Sequence, residues 1–187
     1  MFGIGKKKTA ASVTSDMMSK QRRYEALVRA LHGDLYRYAY WLCHDRSVAD
    51  DLVQETFLRA WKSLDSLKDE KAAKAWLITI LRRENARRFE RKQFDLTDID
   101  DCQVADPVAT TPEQDAEHYL LRQKMALLEP EYREPLLLQV LYGFSGDEIA
   151  TVLELNRNTV MTRLFRARNQ LREALDVQHA DKGHRNG

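Results

Sequence analysis

Residues 145–171 read SGDEIATVLELNRNTVMTRLFRARNQL, and this stretch decides how the rest of the chain is read. Ser145 followed three residues later by Glu148 is a capping box, so a helix is expected to start there and to carry Ile149, Ala150 and Leu153 on one face. Glu154, Leu155 and Asn156 form the expected turn. Asn156 then caps a second helix in which Val160, Leu164, Ala167 and Leu171 recur at helical spacing and point inward. The outer side presents Arg157, Asn158, Met161, Thr162, Phe165, Arg166 and Asn169. No acidic residue falls between Asn156 and Arg172, while Arg157, Arg163, Arg166, Arg168 and Arg172 do. This is the pattern of a helix-turn-helix whose arginine forks suit guanine edges and phosphates, although a solvated helical hairpin would show the same pattern. The first turn position needs a left-handed backbone, which costs a non-glycine residue such as Glu154 roughly 1 kcal/mol.

The remaining composition favours helices. The 187 residues include only 7 glycines and 4 prolines, with 43% hydrophobic and 32% charged content, enough for one medium or two small helical domains. A formal net charge of +1 hides arginine concentrated in two patches and acid concentrated between them, so any nucleic-acid role is a local property. Cys43 and Cys102 lie in no CxxC pair, which argues against a disulfide framework or a cysteine zinc site and for free thiols. Neighbouring Cys43 and His44 point about 100° apart on a helix and chelate poorly together. No apolar run approaches the roughly 20 residues of a membrane span, and the start lacks a signal-peptide core, so a soluble cytoplasmic protein without membrane insertion is expected.

Along the chain, Met1 to Lys20 reads as a disordered tail, with order expected to begin near Tyr24. Tyr24, Leu27, Val28, Leu31, Leu35, Tyr38, Ala39 and Leu42 follow the helical period, in one long helix or in two stacked about Gly33. Ser47 is the expected cap of a helix running to about Leu64, with Val53, Phe57, Ala60, Trp61 and Leu64 as a buried stripe. Asp50, Asp51, Gln54, Glu55 and Leu58 lie along the opposite edge, as a docking surface or as a plain solvated face. After a polar stretch, Trp76, Leu77, Ile80 and Leu81 open a helix that turns strongly basic at Arg82, Arg83, Arg87, Arg88, Arg91 and Lys92. That helix suits a phosphate backbone or a salt-bridged surface. From Phe94 to His118 the chain carries acid without Lys or Arg, and Pro107 and Pro112 discourage helix, so a flexible acidic linker is expected. Beyond it, Tyr119, Leu120, Met125, Leu127 and Leu128 pack in one helix, and Tyr132, Leu136, Leu137, Val140 and Leu141 in the next, begun by Pro130 and closed by Gly143. Residues 177–187 read as a frayed tail.

The expected fold is therefore all-α, with two small helical domains joined by a linker. The segments are a tail at 1–20, a first domain at 21–93, a linker at 94–116, a second domain at 117–176, and a tail at 177–187. No HExxH, GxSxG or phosphate-cradling glycine loop is present, and no catalytic, metal or cofactor site is expected. A DNA-binding regulator acting alone and a nucleic-acid enzyme are the competing readings.

DDLVQETFLRAW, then AWLITIL opening the basic helix, a linker, and a helix-turn-helix closing with TVMTRLFRARNQL together resemble the extracytoplasmic-function (ECF) group of bacterial sigma factors, over roughly Tyr24 to Leu175. The resemblance implies a transcription initiation factor that binds core RNA polymerase and promoter DNA, performs no chemistry itself, and is restrained by an anti-sigma factor. It implies that Asp51, Leu52, Gln54, Glu55 and Phe57 dock on the β′ clamp helices, and that the second domain meets the β flap. It assigns Arg82, Arg83, Arg87, Arg88 and Arg91 to the −10 element and to melting, with Trp76 mainly core and a loop at about Ser66 to Lys71 capturing a flipped base. Met161, Thr162, Phe165 and Arg166 then fall where relatives read −35 bases, and Arg157, Asn158, Thr159, Arg163 and Arg168 become candidates for phosphate contact. Arg83 stands where relatives commonly have Asn, a later Asp of the pattern is replaced near Arg87, and Glu154 stands where Gly is common.

Overall fold

The computed structural model describes the backbone of residues 10–94, 121 and 123–183, and the side chains of 16–90, 121 and 123–175. Every regular element among them is helical. The chain divides into two compact units, Met1–Cys102 and Gln103–Gly187. The expected linker lies, apart from Phe94, outside the described residues, as do residues 1–9 and 184–187.

In the first unit α1 spans Ala10–Cys43 without a break at Gly33, so helix begins well ahead of Tyr24 and takes in half of the stretch expected as a tail. Side chains of this early segment are used: Lys20 Nζ lies 2.8 Å from Asp65 and 5.4 Å from the centre of the Trp61 ring. His44, with φ 54°, ends α1, its N–H donating to the Tyr40 carbonyl. The next helix, α2 (Arg46–Ser63), is capped by Asp45 rather than by Ser47: the Asp45 carboxylate accepts from Val48 N–H at 2.9 Å and from the Ser47 hydroxyl. Two single 3-10 turns, Leu64–Ser66 and Glu70–Ala72, lead into α3 (Ala73–Phe94). Leu35, Tyr38 and Ala39 of α1 are buried, as are Ala49, Val53, Phe57 and Ala60 of α2, and Leu77, Ile78 and Leu81 of α3. Trp76 packs on Leu64, Leu67 and Ala73 together with Tyr24, Leu27 and Leu31, the core role expected of it.

In the second unit a short helical segment at 123–127 precedes α4 (Pro130–Tyr142), α5 (Gly146–Leu153) and α6 (Arg157–Gly183). Proline at the first position of α4 loses no bond, because the first N–H groups of a helix have no partner inside it. Gly143, at φ 67°, supplies the left-handed cap that ends the helix. The apolar run of α4 departs from the expected packing: Leu136, Leu137 and Leu138 are buried, whereas Val140 and Leu141 are exposed, as is Leu127 before them. Residues 177–183, expected to fray, continue α6.

Candidate nucleic-acid and polymerase interfaces

The helix-turn-helix is built as its residues dictate. Both halves of the capping box form: Glu148 N–H donates to the Ser145 hydroxyl oxygen at 3.3 Å, and Ser145 N–H donates to the Glu148 carboxylate at 2.8 Å. The Ser145 N–H and, to a lesser extent, the Ser145 hydroxyl, which donates to the same carboxylate at 2.7 Å, hold the Glu148 carboxyl below its ordinary pKa. Glu154 adopts φ 56°, the left-handed turn that its position demands, and Leu155 N–H closes back on the Ala150 carbonyl at 2.9 Å. Asn156 caps α6, its side-chain oxygen accepting from Thr159 N–H at 2.7 Å. Ile149, Val152 and Leu153 of α5 are buried with Val160, Leu164 and Ala167 of α6, which fixes the angle between the two helices. Truncating the fully buried Leu164 to alanine would cost about 2–5 kcal/mol.

That packing turns Met161, Thr162, Phe165 and Arg166 outward together with Arg157, Asn158 and Arg168, while Thr159 and Arg163 are half-buried. Phe165, at 63% exposure, is a large apolar group in water. The Met161 sulfur would lie 3.3 Å from a β-carbon at Gly146, so glycine lets α6 carry this side chain over the start of α5. The arginines are already engaged. Arg157 lies 3.3 Å from Asp147, Arg163 lies 3.1 Å from Glu131, Arg166 donates to the Tyr132 hydroxyl at 3.3 Å, and Arg168 bonds the Gln139 side chain. Glu131 and Tyr132 line one wall of a groove of about 480 Å³ whose other wall is Asn158, Thr159, Thr162, Arg163 and Arg166. Glu131 did not stand out in the sequence and Tyr132 did so only as a packing residue, since no pattern in a single chain links the start of α4 to α6.

The edge of α2 is more divided. Asp51, Gln54 and Leu58 are exposed and Glu55 is half-buried, whereas Leu52 and Phe57 lie in the core at 4% and 6% exposure. Leu52 and Phe57 therefore show little surface in the folded unit, where they hold the helix that presents the other three expected docking residues. Glu55 Oε1 accepts from Arg59 Nε at 2.9 Å, and that nitrogen is 3.4 Å from the buried carboxylate of Glu84 on α3. Glu84 in turn grips Arg87 at 2.5 Å. An alternating chain of charges thus runs from the exposed edge of α2 to the basic helix.

On α3, Arg83 and Arg87 are exposed and Arg82 and Arg88 are half-buried; Arg91 belongs to the helix, with its side chain outside the described residues. Arg88 is turned toward the end of α1, where its charge acts on Cys43 and Asp45, and one of its terminal nitrogens is buried. Burial nonetheless pushes the Cys43 thiol pKa up, against the reactive thiolate that a redox role needs. Among the described residues no group of His, Cys, Asp or Glu is placed to hold a metal ion. No described helix is long and apolar enough to cross a membrane.

The loop before α3 has a groove of its own, of about 600 Å³, floored by Leu27, Leu31, Leu67 and Ala73 and rimmed by Arg22, Arg23, Lys71 and Lys74 with one acid, Glu70, among them. Arg23 donates to the Leu67 carbonyl at 3.2 Å and approaches Glu70 at 3.9 Å, pinning the loop to α1.

Two helical units of this kind, one carrying a basic helix and the other a helix-turn-helix, define a DNA-binding transcription factor. Residues 27–94 match Sigma-70 region 2, and residues 118–171 match Sigma-70 region 4. The chain is 34% identical over 160 residues to the ECF RNA polymerase sigma factor SigL of Mycobacterium tuberculosis, covering 80% of this chain and 89% of SigL. Among solved structures it is similar to the sigma factor RpoE of Bartonella quintana in complex with the anti-sigma factor NepR. The TM-score there is 0.71 and the identity 30%, over 83% of this chain and 98% of that one. It is also similar to CnrH in complex with the cytosolic domain of CnrY, with a TM-score of 0.59 and 26% identity, over 84% of this chain and 90% of that one. The chain belongs to the ECF group of the sigma-70 family. As an RNA polymerase sigma factor it directs promoter-specific transcription initiation, and its family acts by binding rather than by catalysis.

Proposed function

We propose that the segment 21–93 docks on the β′ clamp helices through Asp51, Gln54 and Glu55, and opens the −10 region with Arg82, Arg83, Arg87, Arg88 and Arg91. In this reading the groove beside Leu67 and Lys71 receives a flipped base. Its apolar floor and mainly basic rim, in which Glu70 is the one acid, suit a base and its phosphate, and its size falls within the about 300–1,000 Å³ of small-ligand sites. The segment 117–176 reads the −35 element from the major groove, with Met161, Thr162, Phe165 and Arg166 toward bases and Arg157, Asn158, Thr159 and Arg168 toward phosphates. The exposed Leu127, Val140 and Leu141 offer the β flap an apolar contact. The acidic stretch at 94–116 joins the two segments, and the protein works in the cytoplasm, where its polymerase and promoter are. The complex of RpoE with NepR supports an anti-sigma factor as a further partner.

The observation that carries this reading is the outward row of Met161, Thr162, Phe165 and Arg166 on a helix whose opposite side is buried at Val160, Leu164 and Ala167 and half-buried at Leu171. Purified protein mixed with core polymerase and a candidate promoter should initiate transcription, while the protein alone should bind the duplex poorly. Tight binding of the free protein with no initiation would overturn the proposal in favour of a regulator that acts alone.

A further inference from the structure

Three arginines of α6 beside the proposed DNA surface, Arg157, Arg163 and Arg166, are held in different ways. Arg157 and its partner Asp147 are 67% and 75% exposed, so water and salt screen that pair and a phosphate can replace the acid at small cost. The Arg163 side chain is only 27% exposed and is paired with Glu131, which sits in the first turn of α4, where the helix dipole favours acid. The next residue, Tyr132, accepts a hydrogen bond from Arg166 through its hydroxyl oxygen. Both partners lie in the groove wall opposite the recognition residues.

We propose that Glu131 and Tyr132 are specificity-determining positioning residues: Glu131 holds Arg163 off the DNA backbone, and Tyr132 steadies the Arg166 fork for base reading. Arg163, assigned from the resemblance to a phosphate, becomes an internal strut. The physical reason is that phosphate contacts strengthen binding to every sequence alike, whereas base contacts discriminate. An acid in the groove withholds one cation from the indiscriminate term and adds its own repulsion toward a misplaced backbone. A single hydrogen bond to one guanidinium nitrogen leaves the others free for a base edge and narrows the directions in which they point.

The inference rests on the −35 reading above, and one set of measurements separates the two. Holoenzyme is assembled from core polymerase and the full chain, and its affinity is measured against salt, on a promoter selected by the wild-type holoenzyme from a library randomised in the −35 box and on single-base variants of it. With Glu131→Gln the released Arg163 should take a phosphate. Binding then tightens on all sequences, and the slope of log affinity on log salt steepens by about 0.9, an about 3.5-fold larger loss between 50 and 200 mM salt. Arg163→Gln should leave the wild-type slope unchanged but abolish the gain in the Glu131→Gln background. Tyr132→Phe should reduce discrimination several-fold at one base position without altering the slope. An unchanged or shallower slope in Glu131→Gln, a shallower slope in Arg163→Gln alone, or unchanged discrimination in Tyr132→Phe overturns the assignment of the residue concerned. Arg166→Ala reports on the parent reading: if it weakens all −35 sequences equally, that reading fails, whereas loss of discrimination there with no effect at 131 and 132 removes this inference alone.

Discussion

Replacing Glu84 by glutamine tests the charge chain between α2 and α3. The carboxylate is 9% exposed and lies between Arg87 Nη1 at 2.5 Å and Arg59 Nε at 3.4 Å, while those two arginine side chains are 50% and 42% exposed. The gross attraction of one such pair at 4 Å is about 4 kcal/mol at an effective dielectric of about 20. The exposed guanidinium ends keep much of their hydration in either case, so most of that sum is not recovered on folding. Losing a fully buried pair's partner costs about 3–5 kcal/mol and losing a surface partner about 0–1 kcal/mol, so this half-wet triad falls between them at about 1–2 kcal/mol. For a unit of this size that is a drop of about 4–16 °C in Tm. Tryptophan fluorescence isolates the response, because the three tryptophans, Trp41, Trp61 and Trp76, all lie in the first unit. Arg59→Gln, which removes the partner on α2, should cost less than Glu84→Gln, since Arg87 still neutralises the acid, and the double variant should be less destabilised than the two effects added. A fluorescence midpoint within 1 °C of wild type, or strictly additive effects, would refute the view that these charges bind α2 to α3.

Glu154→Gly should stabilise the second unit by up to about 0.6 kcal/mol, because relief of about 1 kcal/mol of left-handed strain is offset in part by about 0.4–1 kcal/mol of added freedom in the unfolded chain; slower amide exchange in α5 and α6 would register it, and faster exchange would mean that Glu154 contributes more than backbone geometry. Glu148 has a lowered pKa in the folded state, so its contribution to stability is present above the ordinary carboxylate range and lost as pH falls through the lowered value. Glu148→Gln should accordingly flatten the acid limb of a stability profile followed by circular dichroism, and an unaltered limb would contradict the cause assigned to the shift. Changing Gln54 and Glu55 together should weaken binding to core polymerase while tryptophan fluorescence still reports a folded first unit; undiminished core binding would leave that edge as ordinary solvated surface.

The helix-turn-helix was legible in the sequence because each of its signals is local. Ser145 with Glu148, Asn156 before a periodic helix, and Gly143 after a leucine run each act within four residues. Where local signals compete or vanish, the sequence misleads. Ser47 and Asp45 are both good caps, and the carboxylate reaches Val48 N–H while the serine hydroxyl bonds to that same carboxylate. In α4 the apolar residues run almost continuously, so a 3.6-residue period cannot say that Leu136 to Leu138 face inward while Val140 and Leu141 do not. Phe57 drew two readings, core from its periodicity and docking from the resemblance, and packing agrees with the periodicity. The partners of the arginines were illegible for a different reason. Glu131 is 32 positions from Arg163, and only the packing of α4 against α6 brings them together.

The early start of α1 bears on how this protein is handled. Family similarity to region 2 begins at residue 27, and a version trimmed to that match would look complete by alignment. It would lack Lys20, Arg23 and Tyr24, and with them the bonds to Asp65, the Leu67 carbonyl and Glu70 and the edge contact on Trp61 at 5.1 Å. Arg22, Arg23 and Ala26 of the groove beside Leu67 would go with them, so a shortened protein would lack part of the site proposed for the flipped base and would be a poor probe of it.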